Sequence, residues 1–392
     1  MEWTRHGRAA MVLAATLAVA AGPAAAERLF SLADVQGDDD GGGALIYPNR
    51  PDLQRGDLDL AEISAEQHAD GVWFAVEMSK PIRKPAGQVL DMTGVPVERV
   101  ARNGFYTFNV DIYVDQDRIV GAGYTDALPG RGVTVDRAYA WEKAIVLTPR
   151  PETARLMLLS YYNRVLEEEL RAKQGKVSRK ELDALEADAE KYVDERYYFP
   201  DEVRVSGGRV EFRVPTEFLG GAPAPSWAYT VLVTAADLEQ AAMPSQSNPA
   251  KASMMTMGVG RGLHSDLWGI RSDDDAGTPP VIDLLASDKK AQERVLDDYD
   301  SVSGRLPAVP GLAPDGSVSV AASDVQLTPE QAQRMDAAIT RRKPPDGAEP
   351  PAAPAEKRAA PARLRTLNQL LEDGLITQAE YDELRRKILT EL

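Results

Sequence analysis

The chain has 392 residues, no cysteine, and a formal net charge of −16 from 61 acidic against 45 basic side chains. That acidic excess repels phosphate backbones and anionic lipid headgroups, so nucleic acid is excluded as a partner, whereas neutral sugars, cations and proteins stay open. Without thiols there is no disulfide, no thiol catalysis and no lipid-acylated cysteine, and the length suits one sizeable domain with attachments.

Arg5 and Arg8 precede an apolar run from Met11 to Ala21, and Ala24-Ala25-Ala26 supplies small residues just before Glu27. This is the layout of a signal peptide, residues 1–26, cleaved after Ala26, which predicts a periplasmic or secreted protein. The run falls short of the ~20 apolar residues that span a bilayer; retention as an anchor is the alternative. Residues 1–26 carry +1 (Arg5 and Arg8 against Glu2), leaving −17 on residues 27–392. No later stretch approaches spanning length, so no transmembrane segment is expected in the mature chain.

From Leu29 to Leu147 the pattern is mostly strand. Gly71–Met78 is short and apolar, and Phe105–Val114 alternates, with Tyr106, Phe108, Val110, Ile112 and Val114 on one face and Asn109, Asp111 and Tyr113 on the other. Residues 152–197 change to helical spacing: Ala154, Met157, Leu158, Tyr161, Tyr162, Val165, Leu166 and Leu170 recur, and Gly175 is the expected stop. Ser178 with Glu181 is a capping box that opens a second helix. Strands resume at 202–205 and 209–214 around the Gly207-Gly208 turn, then at 227–233, and the last apolar element is 280–285. A linker is expected over 301–362, largely disordered, with a short helix from Thr328-Pro329 to about Arg342. In the tail, 363–392, Leu364, Leu367 and Leu371 share one helical face and Tyr381, Leu384 and Ile388 another, with Gly374 between. Two helices this short need a partner for their stripes, most simply a second copy, which predicts a homo-oligomer.

The densest chemistry is Asp34-Val35-Gln36-Gly37-Asp38-Asp39-Asp40-Gly41-Gly42-Gly43, which is either an oxygen-rich loop for a hard cation such as Ca²⁺ or a solvated acidic turn. Asp57 and Asp59 are placed to complete a site. Asp111, Asp115 and Asp117 form a second acidic group, as ion ligands or as outward-facing polar residues. Trp73, Trp141, Trp227 and Tyr229 sit among apolar strand residues and read as core. Trp268, in the looser Leu267-Trp268-Gly269, and Tyr124 are the rings expected to meet a ligand. Catalytic signals are thin: His68 and His264 lack ligand-spaced companions, Gly258–Gly262 lacks the Lys-Ser/Thr of a phosphate loop, and no carboxylate pair is singled out for glycoside cleavage.

Two stretches carry a resemblance. Asp34–Gly43, running on through Ala44-Leu45-Ile46-Tyr47-Pro48, resembles the opening of the glucodextranase C-terminal, DOMON-like family: an Asp, Gly-Asp-Asp, spaced glycines and Tyr-Pro. Gly56-Asp57-Leu58-Asp59-Leu60, Val110–Asp115, Ala127–Arg131, Trp141–Ile145, Val214-Pro215, Leu219-Gly220, Trp227-Ala228-Tyr229 and Val281–Leu285 follow in the family's order. The resemblance implies a mainly-β fold over residues 27–300. That fold is an immunoglobulin/jelly-roll-like β-sandwich of the kind shared with family 9 carbohydrate-binding modules, with the helical hairpin of 152–197 inserted. It also implies recognition of a polysaccharide or cell-envelope glycan, and a structural Ca²⁺ with Asp34, Asp38, Asp39 and Asp59 as ligands. DOMON relatives also hold haem, but no Met–His pair is placed here for axial ligation. Residues 363–392, through Leu370–Thr377 and Glu380-Tyr381, resemble the short C-terminal helical domain SHOCT, a family associated with oligomerisation. The expected function is a non-catalytic, exported carbohydrate-binding module. The competing reading is a periplasmic scaffold or assembly protein with no sugar ligand.

Overall fold

A computed structural model describes residues 26–50, 52–84, 103–237, 254–262, 268–270, 277–301 and 303–342. The chain divides into two units, 1–335 and 336–392. Residues 1–25, within the expected signal peptide, Asp273-Asp274-Asp275, His264, residues 343–362 and the expected C-terminal hairpin lie outside the described residues.

The elements run β1 (Glu27–Ala33), β2 (Leu60–His68), β3 (Gly71–Met78), β4 (Phe108–Asp115), β5 (Thr134–Val135), β6 (Lys143–Leu147), α1 (Pro151–Gln174), α2 (Arg179–Arg196), β7 (Tyr197–Tyr198), β8 (Val203–Ser206) and β9 (Arg209–Val214). They continue with α3 (Thr216–Leu219), β10 (Ala228–Ala235), β11 (Val259–Arg261), β12 (Trp268–Ile270), β13 (Asp283–Leu284), α4 (Lys289–Leu296), β14 (Ala308–Val309) and α5 (Pro329–Arg342). Two five-stranded sheets dominate, in the orders β1-β2-β3-β9-β8 and β13-β10-β4-β6-β7. Every pairing in them is antiparallel except β6 with β7. The fold is mainly β.

Side-chain alternation explains how the sheets meet. Phe74 and Val76 of β3 and Phe212 of β9 point to the same interior as Val110 and Ile112 of β4, Ile145 of β6, and Val231 and Val233 of β10. Phe30 of β1 stacks on Tyr229 of β10 with ring centroids 4.3 Å apart. Each such side chain contributes about 1.5–3 kcal/mol when fully buried.

The second sheet is covered on its other face as well, so all eight residues of β4 and of β10 are buried. A second apolar cluster joins Tyr113, Trp141, Val146, Leu232 and Leu284 to Ala154 and Leu158 of α1 and Val193 of α2. The α1–α2 hairpin supplies that cover. Pro151 opens α1 at its first turn, Gly175 ends it at φ 78° with its N–H on the Arg171 carbonyl, and Ser178 and Glu181 exchange both bonds of the capping box.

The structure corrects one boundary. Residues 303–335 are not a linker: β14 pairs with β5, Leu312 and Tyr229 exchange backbone hydrogen bonds of 3.0 and 2.9 Å, and Val320 donates to the Arg118 carbonyl at 2.9 Å. Val309 and Leu312 are too few, among prolines and glycines, to make a periodic pattern, yet each packs against an existing core edge. Helix α5 begins where expected, with Thr328 and Gln331 capping each other (3.2 and 2.8 Å).

Candidate metal centre

The opening acidic loop leaves β1 and runs past the start of β2, β13 and α4. Gly37 of this loop, at φ 90°, and Gly56 of the neighbouring turn, at φ 84°, have the positive φ that favours glycine. Each turns its N–H onto a carboxylate. Gly37 donates to both oxygens of Asp59 (3.0 and 2.9 Å), and Gly56 donates to Asp39 Oδ2 (2.5 Å). Asp40 takes the cations, with Lys289 Nζ at 3.1 Å and Arg55 Nη1 at 3.8 Å.

Asp34 and Asp38 are left differently. Asp34 Oδ1 accepts the Ala286 N–H at 2.9 Å, but its Oδ2 is buried without a hydrogen-bond partner, as are both oxygens of Asp38. Asp38 is fully buried. Its backbone carbonyl accepts from Gln292 of α4, which also reaches Gly41 and so clamps the loop. Asp283 of β13 completes the group. Carboxylate oxygens of Asp34, Asp38 and Asp283 lie within 4.8 Å of one another. Asp283 Oδ2 accepts the Leu60 N–H (2.7 Å) and Oδ1 its neighbour Leu284 (2.8 Å), which fixes the carboxylate and leaves lone pairs over.

Burial and mutual repulsion raise the proton affinity of Asp34, Asp38, Asp39 and Asp283. Burial first, and then the charges of Asp38 and Asp59, push Asp34 up to about 8. Burial followed by Asp59 pushes Asp38 up to about 6, and Asp39 reaches about 6 for the same leading reason. Asp283 is raised well above the carboxylate range by burial and by Asp34 and Asp38. Unpartnered buried carboxylates are costly unless a proton or a cation compensates them. The donor set, all oxygen on a glycine-rich loop with a rigid strand behind it, suits a hard cation rather than a thiophilic one.

Of the four residues expected as ligands, Asp34 and Asp38 face the common centre, Asp59 lies close enough to repel them, and Asp39 is held by Gly56. Asp283, which local spacing does not single out, joins Asp34 and Asp38; its one sequence signal is a lone carboxylate inside the apolar run Val281-Ile282-Asp283-Leu284-Leu285. In the second acidic group, Asp111 forms a fully buried pair with Arg131 (2.5 and 3.1 Å), Asp115 pairs with Arg118 (2.8 Å), and Asp117 accepts from Arg334 (3.2 Å).

The aromatic expectations divide. Trp141, Tyr229 and Trp73 are buried, and Trp227 partly so. Trp268 is a correction: it is fully buried, with its ring 4.2 Å from that of Tyr47 and in the core between the sheets. The glycine beside it gives no exposure, because Gly269 and Ile46 exchange backbone bonds (2.8 and 2.9 Å) that draw β12 inward. Tyr124 is half-buried against Trp141 (5.2 Å) and Tyr192 (6.1 Å), with the Arg196 guanidinium 4.9 Å from its ring.

Among the described residues no helix is long and apolar enough to cross a membrane. Comparison with family models matches residues 362–389 to the short C-terminal domain SHOCT. None of the curated proteins compared with the chain matches it. Residues 29–311, well over half of the sequence, match the model described as the C-terminal binding module, SLH-like, of glucodextranase, a binding rather than a catalytic domain; the chain belongs to that family.

Proposed function

We propose that this protein is an exported, non-catalytic carbohydrate-binding module whose opening loop holds a structural Ca²⁺ and whose C-terminal hairpin self-associates. The carrying observation is the binding-module match over 29–311. On this reading the two sheets that share one interior make a DOMON-like β-sandwich, residues 27–300 are its body, and 303–335 are a strap across it.

Calcium is supported by the three convergent carboxylates Asp34, Asp38 and Asp283, with buried oxygens that no protein donor satisfies. Asp59 and the Asp38 carbonyl stand close behind them. Bound there, the ion neutralises the repulsion and ties β1, β13 and α4 to one point. Export rests on Arg5, Arg8 and the apolar run that follows. Self-association rests on the SHOCT match and on the stripes Leu364, Leu367, Leu371 and Tyr381, Leu384, Ile388.

Affinity electrophoresis against α-glucans and cell-envelope polysaccharides tests the central part. Retardation by at least one neutral glycan is expected, with Tyr124 the partly exposed ring to substitute first. No retardation by any of them transfers the protein to the scaffold reading. Light scattering on the full chain and on a chain ending at residue 362 then decides whether assembly needs the hairpin.

A further inference from the structure

A second group of oxygens converges where β4 ends, far along the chain from the opening loop. Carboxylate oxygens of Asp115, Asp117 and Glu142 lie within 4.8 Å of one another. A side chain from α5 stands among them: Arg334 Nη2 is 3.2 Å from Asp117 Oδ2 and 3.8 Å from Glu142 Oε1, and its Nε donates to the Ala122 carbonyl at 2.6 Å. Gln331, one turn earlier, donates to Asp117 Oδ2 at 2.9 Å.

Glu142 is the telling residue. Its side chain is only 10% exposed. Oε2 accepts the Gln116 N–H at 2.8 Å, but Oε1 is buried and accepts no hydrogen bond. Gly123 makes room for it, since a Cβ there would stand 2.6 Å from Oε1 and 2.5 Å from the Ala140 carbonyl. The Ala122 carbonyl, Asp117 and Glu142 thus place oxygens about one guanidinium, which leaves Glu142 Oε1 without a hydrogen bond. Arg118 is bonded to Asp115 (2.8 Å) and to the Ser317 carbonyl (2.8 Å).

We propose that Asp115, Asp117 and Glu142, with the Ala122 carbonyl, form a second divalent-cation site that Arg334 fills when no ion is present, so that the ion and helix α5 compete for the same oxygens. A hard dication needs six to eight oxygen ligands and takes carboxylates in preference to other groups, and this cluster offers them at the right crowding. Ion binding moves Arg334 out and loosens the first turns of α5. The site is independent of the opening loop and of any sugar ligand.

Calcium titration calorimetry on the full chain tests this, with the opening cluster silenced by Asp38→Asn. That variant should bind one ion. Adding Arg334→Ala should tighten the binding at least ~10-fold by removing the competitor, a change of about 1.4 kcal/mol. Adding Glu142→Gln should abolish it. Hydrogen exchange of residues 329–335 should quicken as calcium fills the site. No calcium uptake by Asp38→Asn/Arg334→Ala at about 10 mM, above the weakest ordinary calcium sites, overturns the proposal, as does uptake indifferent to Glu142→Gln. Should Asp38→Asn fail to fold, Arg334→Ala in the otherwise unchanged chain must tighten the weaker of two sites; an unchanged isotherm overturns it equally.

Discussion

Asp111 and Asp38 are both buried carboxylates next to a sheet, yet the chain treats them in opposite ways. Asp111 meets the Arg131 guanidinium in a two-pronged pair, and Arg131 is completed by Thr256 and the Met254 carbonyl. Asp38, with Asp34 and Asp283, converges on other carboxylates with backbone N–H groups on Asp34 and Asp283 alone, while the nearby cations Lys289 and Arg55 pair with Asp40. The difference separates two uses of buried charge. A pair that closes on itself needs nothing further; the open group keeps buried oxygens that no protein donor satisfies.

The strongest way to sharpen this contrast is to remove the built-in cation. Arg131→Met should destabilise the protein by about 3–5 kcal/mol in urea unfolding, because Asp111 is then buried and alone. Asp38→Asn should do the reverse in chelator and leave stability equal or higher, since it removes a repelling charge rather than a partner. If both substitutions cost alike, the two acids do not differ as described.

Next in size is the response to calcium. An ion that binds only the folded chain stabilises it by about 2.7 kcal/mol at a hundredfold excess over Kd. The melting temperature should therefore rise by about 5 °C or more on adding calcium to the stripped chain. Asp38→Asn or Asp283→Asn should remove most of that rise, whereas Asp39→Asn should keep most of it.

A smaller effect is the pH dependence. Asp34 and Asp38 stand at about 8 and about 6 against an ordinary value of 3.8, so between those limits the folded chain binds protons that the unfolded chain has released. Stability in chelator should then fall as pH rises from about 4 to about 8, by roughly 3 °C or more in melting temperature. Calcium takes the place of the protons and should flatten that fall. Asp52 provides the opposite sign. Burial pushes it up, but bonds from Arg50 of 2.9 and 2.6 Å outweigh this and hold it below the ordinary range. Its contribution is present above that range and is lost as the solution is acidified through its lowered value. A melting temperature that rises with pH in chelator would contradict the open-cluster account.

Local periodicity made much of the fold legible. The face carrying Val110, Ile112 and Val114, the stop at Gly175 and the cap at Ser178 all follow from spacing alone, and all are found. What spacing does not carry is whether a polar face meets water. Asn109, Asp111 and Tyr113 alternate like a solvent face but lie under a second layer. Asn109 is tied to Thr148 and Thr234, Asp111 to Arg131, and Tyr113 to the Leu128 N–H. Those partners are 15 to 125 residues away. For the same reason the acidic opening was readable as a cluster, but its third member, 245 or more residues on, was not. Trp268 shows the converse, a ring in a glycine-rich setting that long-range pairing pulls into the core.

Crystals grown in calcium and measured for anomalous scattering decide whether the opening loop holds an ion. A peak is expected ~2.3–2.6 Å from oxygens of Asp34, Asp38 and Asp283. A calcium-saturated crystal with no peak there, and those three carboxyls turned onto protein donors instead, would contradict it.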